Sequence, residues 1–450
     1  MRSLDSSYIA SLLVISCTLF VPSSVLAQAD LLVLERLNSD DVSQVIEQLS
    51  LLRSHPVDEP DVVRKVIGLL DDERYVQDNP YVAESVCVRA FLVISTSGTK
   101  TAKLIAEEIK NLKSSYGLNY LLQAIRSSQD ESEVLYRAIL PFLKHPDEGV
   151  RGNAIQALSK VATKDDELSK DFDSMLSDPS DFVRASTVLA MQVRHIAAGM
   201  IVEKIAPLLS GTEMYYVGIS NDASIQRRLA AEVAKLLGLI GNPAKPWKAE
   251  LLEAMRRHED GHVRLWSAVA SIQLSEENLP EAYQTVAEFL KGDPLKRSDM
   301  RDTLEGVIAL GKKSLPLLEQ LRVQAKDIHF HENSGSSLLA DAFYAISPDA
   351  ALDDVLLLVG SDNEFVCEAA ISALSRHNER SERVIAAYIS VLQREDELGL
   401  PRSESVRALG KLGPAAAIAE PAIQELLKNN ELSEYDRELI QETLDLIRAK

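Results

Sequence analysis

One short pattern recurs along this chain, and it limits the possible folds more than any other feature. It reads His145-Pro-Asp-Glu-Gly-Val150-Arg151, then Asp178-Pro-Ser-Asp-Phe-Val183-Arg184, then Glu259-Asp-Gly-His-Val263-Arg264 and Asp362-Asn-Glu-Phe-Val366-Cys367, with a weaker copy at Ser403-Glu-Ser-Val406-Arg407. Helical spacing follows each valine. Val150, Ala154, Ala157, Leu158 and Val161 fall on one helix face, and Val366, Ala370, Ala373 and Leu374 repeat the same steps. Asp, Ser or Asn ahead of the valine can accept hydrogen bonds from the free N–H groups of a first turn, and acidic residues there suit the positive end of the helix dipole.

A second apolar stripe at 3.6-residue spacing follows each first one. Examples are Ile201, Val202, Ile205, Leu208 and Leu209; Trp247, Leu251, Leu252 and Met255; Tyr283, Val286, Phe289 and Leu290; and Ile418, Ile423, Leu426 and Leu427. Turn residues punctuate the stripes at Gly211-Thr, Gly241-Asn-Pro, Gly292-Asp-Pro, Ser347-Pro-Asp and Gly413-Pro. No stretch reads as β-strand by alternation, and aromatics are only 5% of the 450 residues, so leucine and alanine carry the apolar content. A chain this long is two or three domains or one repeat array, and the recurrence selects the array.

The D-x-x-V-R-x-x-A-type helix start, with Ala408-Leu-Gly-Lys-Leu and the run Gly413 to Lys428, resembles HEAT repeats, and more narrowly the short HEAT-like repeats of bacterial exported proteins and phycobilisome lyases. The resemblance is good over 143–210, 222–291 and 362–428; between 294 and 360 and before 130, periodicity alone indicates helices. It implies an all-α, right-handed α-solenoid of about ten or eleven antiparallel helix pairs. In it, Val150, Val183, Val263, Val366 and Val406 are buried near the start of a first helix, and Arg151, Arg184, Arg264 and Arg407 pair with acidic groups of adjacent repeats.

The domain reading has three parts. Residues 1–29 form a signal peptide: Arg2, an apolar run from Ile9 to Val21, the break at Pro22, and Ala27-Gln28-Ala29 as the cleavage signature. Cleavage follows Ala29 or, as second choice, Ala27. Lipidation at Cys17, in Val14-Ile15-Ser16-Cys17, is the rival, although the residues after it stay apolar. The solenoid runs from 30 to 430 as one continuous stack. Residues 431–450 form a capping helix with Leu432, Tyr435, Leu439, Ile440, Leu444 and Ile447 inward and Glu434, Asp436, Arg437, Glu438 and Lys450 wet. The expected location is therefore outside the cytoplasm, periplasmic or secreted, with no membrane span in the mature chain. Cys87 and Cys367 read as free, buried thiols, with no disulfide framework.

Four constellations resemble chemical sites. His258-Glu259-Asp260-Gly261-His262 matches H-E-x-x-H, but its Asp-Gly forms the turn between two repeats, whereas zinc needs both histidines on one continuous helix. Gly306 to Ser314 is one residue out of register with a phosphate loop and lies at a helix end rather than after a strand. His329-Phe330-His331-Glu332 could hold a metal only with partner ligands that the sequence does not supply, and reads as an exposed loop. The acidic runs Asp71-Asp-Glu73, Asp165-Asp-Glu167 and Glu395-Asp-Glu397 lack the spacing of a calcium loop.

The sequence thus offers no catalytic, cofactor or metal residue, and no cofactor is expected. A formal net charge of -20 disfavours nucleic acid as a partner. The leading expectation is a non-enzymatic scaffold that binds a protein partner along an extended helical surface. The alternative is an accessory subunit or lyase-like enzyme of an exported complex.

Overall fold

The computed structural model describes residues 31–54, 59–76, 84–128, 131–194, 202–211, 214–217, 225–291, 297–325, 336–394, 399–428 and 432–449. The signal peptide with Cys17, the His329–Glu332 loop, the run Glu395-Asp-Glu397 and Lys450 lie outside them. The described residues cluster into two compact units, 31–205 with 212–229, and 206–211 with 230–449, where the sequence suggested one run from 30 to 430.

In the first unit the helices are α1 (31–37), α2 (Val42–Ser54), α3 (Pro60–Gly68), α4 (Val86–Thr96), α5 (Ala102–Glu108), α6 (Ser115–Ser128), α7 (Glu133–Ile139), α8 (Glu148–Val161), α9 (Asp165–Met175), α10 (Asp181–Arg194) and α11 (Val202–Ile205). Those of the second are α12 (Leu229–Ile240, its first residue shared with the first unit), α13 (Lys248–Arg257), α14 (Gly261–Leu274), α15 (Pro280–Leu290), α16 (Arg297–Leu310), α17 (Leu318–Gln324), α18 (Ser336–Ile346), α19 (Pro348–Val359), α20 (Glu364–Arg376), α21 (Glu382–Leu392), α22 (Leu400–Leu412), α23 (Glu420–Leu426) and α24 (Glu434–Arg448).

Within each unit, many helices touch the one two places along as well as the next in the chain. One row runs α2, α4, α6, α8, α10 in the first unit and α14, α16, α18, α20, α22, α24 in the second. A second row runs α3, α5, α7 in the first unit; in the second it includes α13, α15, α17 and then α19, α21, α23. Each unit is thus a stretch of all-α solenoid, as the repeat pattern implies. No stripe closes a core alone, so neighbouring repeats supply the other wall. Burying a valine or leucine contributes roughly 1.5–3 kcal/mol, and Val150, Val183, Val263, Val366 and Val406 are all buried, as expected.

The caps fall where the sequence places them. Asp147 accepts from the Val150 N–H, Asp260 from those of His262 and Val263, and Asn363 from those of Phe365 and Val366. A second device is less visible in the sequence. Gly241, Gly311 and Gly413 have φ of 72°, 56° and 57°, a region that a Cβ disfavours. Each ends one helix and opens a 3-10 segment leading into a second-row helix, over Asn242–Trp247, Gly311–Leu317 and Gly413–Ala419. The residue three places after each glycine, Ala244, Ser314 or Ala416, is fully buried.

Three details differ from the sequence reading. Two antiparallel ladders are present, Tyr75–Val76 (β1) with Glu84–Ser85 (β2), and Met214–Val217 (β3) with Ile225–Arg228 (β4). They are hairpin arms between helices, too short for alternation to reveal. Ile418 is exposed because it sits on the 3-10 segment, out of phase with the α23 stripe. On α24, Ile440, Leu444 and Ile447 face inward, with Leu432 buried just before the helix, but Tyr435 stays exposed, where its hydroxyl accepts a hydrogen bond from Arg407 at 2.8 Å. No helix among the described residues is long and apolar enough to cross a membrane.

Candidate functional site

The constellations singled out in the sequence resolve into local structure. α13 ends at Arg257 and α14 begins at Gly261, so no single helix carries both histidines of the H-E-x-x-H match. His258 Nδ1 accepts from the Asp260 N–H at 3.1 Å, while His262 Nδ1 lies 2.7 Å from Asp302 Oδ2 on α16. Among the described residues, no three His, Cys, Asp or Glu side chains gather as a metal ion would require. In the phosphate-loop lookalike, Lys313 donates to the carbonyls of Ile272, Gln273 and Ser275, which close the end of α14, and Ser314 donates to Val307 and Gly311 carbonyls. Asp71 accepts from the backbone N–H groups of Lys113 and Ser114, at the start of α6. Cys87 and Cys367 are free and buried.

The repeated arginines do something the sequence reading did not foresee. Arg151, Arg184 and Arg264 each donate to the carbonyls six and five residues earlier: His145 and Pro146, Asp178 and Pro179, His258 and Glu259. These carbonyls lie in the turn that leads into the arginine's own helix, and a guanidinium satisfies two of them at once. The expected pairing with an acid of the adjacent repeat holds for Arg151, whose Nε is 2.8 Å from Asp178. Arg184 pairs with Asp181 of its own helix, and Arg407 does not follow the expectation, since its ion pair is with Glu404 of its own helix. Arg407 lies well inside a helix that began at Leu400, so it has no preceding turn to reach. Burial alone would raise the Asp178 pKa; hydrogen bonds from Arg151 and the Ser180 N–H, with the charges of Arg151 and Arg184, outweigh it and hold the carboxyl below the usual aspartate value.

The fourth copy has Cys367 where the others have arginine. There the donor comes from elsewhere: Arg394, two residues past α21, donates to the carbonyl of Ser361, six residues before Cys367, and to that of Val359. Its guanidinium also lies 3.7 Å from the Cys367 sulfur. Burial nonetheless pushes the thiol up, against the arginine's opposing charge.

A buried polar cluster joins α12, α14 and α16. Lys235 Nζ sits 4.2 Å from the Trp266 ring centre, 3.6 Å from Glu232 and 4.0 Å from Asp302, and His262 holds the other oxygen of Asp302. Both carboxylates are buried. Paired and enclosed, these groups tie the three helices together.

The accessible feature lies in the second row. Ion pairs cross most of its seams: Arg64 with Glu107 and Glu108, Arg137 with Glu167, Lys204 with Asp173, Arg256 with Glu281, Arg322 with Asp354, and Arg383 with Asp353. Tyr283 donates to the Lys313 carbonyl across another. One seam of the second unit is open. Between the segment 206–210 and α13 runs a groove of about 310 Å³, floored by Pro207, Leu209, Trp247 and Ala254 and edged by Glu250, Glu253, Arg257 and His258. The segment 206–211 is Ala-Pro-Leu-Leu-Ser-Gly and has no charged side chain to offer. Among the described residues, no ion pair or side-chain hydrogen bond spans this seam, and Arg257 pairs only with Glu253 on its own helix, at 3.2 Å. Trp247 is the sixth residue after Gly241. At that place after the other two glycines, Leu317 and Ala419 are buried, whereas Trp247 is half-buried and borders the groove. The sequence showed Trp247 as one member of an apolar stripe and gave no sign of the opening.

No protein-family model matches the chain, and no curated protein matches it. Among solved structures, the chain is similar to importin beta at 14% identity and a TM-score of 0.41, over 95% of this chain and 67% of that one. It is similar to Kap121p at 14% identity and a TM-score of 0.37, over 95% of this chain and 49% of that one. It is also similar to the complex of CpcE and CpcF of phycocyanin lyase from Nostoc sp. PCC7120, at 14% identity and a TM-score of 0.30, over 62% of this chain and 94% of that one. The chain thus spans about half the length of Kap121p.

Proposed function

We propose that this chain is an exported, non-enzymatic scaffold that binds a protein partner along its second helix row. The observation that carries the proposal is the open seam at Trp247, a groove with an apolar floor and polar edges on a framework most of whose other second-row seams carry ion pairs. Rigid packed helices on both sides present such a surface without a folding cost at binding.

The test is site-specific photo-cross-linking on the purified full chain. A photoreactive residue in place of Ser210, Ala254 or Gln424 is illuminated in extract from the exported fraction, with unlabelled protein as competitor. One partner cross-linked from a second-row position and displaced by competitor supports the scaffold reading. Turnover of a small molecule by the purified protein, or no competed cross-link at any position, overturns it. Export is tested by intact mass of the protein recovered from outside the cytoplasm: a chain starting at Asp30 or Gln28 is expected, and retention of residues 1–29 or an acylated Cys17 refutes it.

A further inference from the structure

The edges of the open seam carry two glutamates, Glu250 and Glu253, against one arginine, Arg257, and the chain's own neighbouring segment supplies no further cation. In six ion-paired contacts elsewhere in the second row, a carboxylate of one helix meets a cation of the next. Here Glu250 and Glu253 face a segment without a cation. Among the described residues Glu253 has only the exposed i,i+4 partner Arg257, a pair weak enough in water for a second cation to share. Glu250 has no ion-pair partner among the described residues, and it stands one turn from Trp247, whose indole is partly exposed rather than sealed into the core.

We propose, on the basis of the scaffold reading, that this groove takes an extended basic segment of the partner protein. One lysine or arginine of that segment fills the place of the missing seam cation. Its hydrocarbon stem lies along Trp247 and Pro207, and its charge meets Glu250 and the free side of Glu253. Long basic side chains suit this geometry because they cover apolar surface with their stems while keeping the head in water, and an indole face attracts a cation. A net charge of -20 adds long-range attraction for basic segments and repels acidic ones.

The test uses two fluorescein-labelled nonapeptides and the full chain, read by fluorescence anisotropy at low salt. One repeats lysine, leucine and serine; the other has glutamate for each lysine. The lysine peptide is expected to bind and the glutamate peptide not to bind. The pair Glu250→Gln with Glu253→Gln, both exposed and so neutral to folding, is expected to weaken the lysine peptide about three- to tenfold, the scale of two exposed charge pairs. Trp247→Ala is expected to weaken it by a similar factor. A control with the same change in net charge, Glu438→Gln with Glu442→Gln on α24, is expected to leave binding unchanged. Equal weakening by the control pair would show a diffuse field rather than a site, and would overturn the proposal. So would equal binding of the glutamate peptide, or no binding of the lysine peptide. A partner that cross-links only from Gln424, with no lysine-peptide binding, sinks this groove while leaving the scaffold reading intact.

Discussion

The helix starts at Val150 and Val366 solve the same problem with different donors. In the first, Arg151 turns back onto the carbonyls of His145 and Pro146, and its other edge holds Asp178 of the next repeat. In the second, Cys367 fills the arginine's place, and Arg394 supplies the guanidinium from beyond α21, reaching the carbonyls of Ser361 and Val359. Turn carbonyls that are partly buried are costly to leave without a donor, and what recurs from repeat to repeat is the carbonyl six residues before the arginine's place. The side chain that serves it is free to change.

The sharpest break in this comparison is Arg151→Ala. It removes two carbonyl caps and leaves the well-buried Asp178 carboxylate without its main partner, so a loss of about 2–4 kcal/mol is expected. Thermal or urea unfolding at pH 7 checks it; a loss under ~1 kcal/mol would show that the arginine is dispensable there. The effect should depend on pH. The folded pKa of Asp178 lies below its unfolded value, so its contribution is complete above that value, near 3.8, and fades as pH falls through the folded one. The gap between wild type and Arg151→Ala should therefore narrow below about pH 4.

Arg394→Ala comes next. It strips the Ser361 carbonyl, leaves the Val359 carbonyl with the Cys367 thiol as its side-chain donor, and abandons no carboxylate, so about 1–3 kcal/mol is expected. Adding Cys367→Arg should restore part of that loss, by returning this start to the arrangement seen at Arg151, Arg184 and Arg264. A double-mutant cycle reads this directly. Purely additive losses would mean that Cys367 and Arg394 do not share one role. Arg407→Ala is the smallest, expected below ~1 kcal/mol, because Arg407 serves only Glu404 and the Tyr435 hydroxyl at the surface. A larger loss would show that the weak fifth copy works like the strong ones.

The fold was legible in the sequence because Val150, Val183, Val263 and Val366 each carry both a cap signal and a 3.6-residue stripe. Those signals are local, within about a dozen residues of each valine. The role of the arginines was half legible, since their position repeats, but their acceptors are backbone atoms that every residue has and composition cannot mark. The hairpin Met214–Val217 with Ile225–Arg228 was missed because four residues are too few for alternation to speak. The groove was not legible at all. Trp247 has the same apolar character as Leu317 and Ala419, and only the spacing between 206–210 and α13 leaves its ring uncovered.

The exchange of Arg394 for an arginine at 367 bears on how such a chain can diverge. If an arginine at 367 reaches the Ser361 carbonyl that Arg394 serves from 27 residues further on, a form holding both guanidinium groups keeps that carbonyl served when either is lost. Successive repeats can then drift through viable states until their consensus is worn away, while their backbone path is kept. A search that scores columns one at a time would register Cys367 as a mismatch. Scoring which carbonyl is served would place it in register with its siblings.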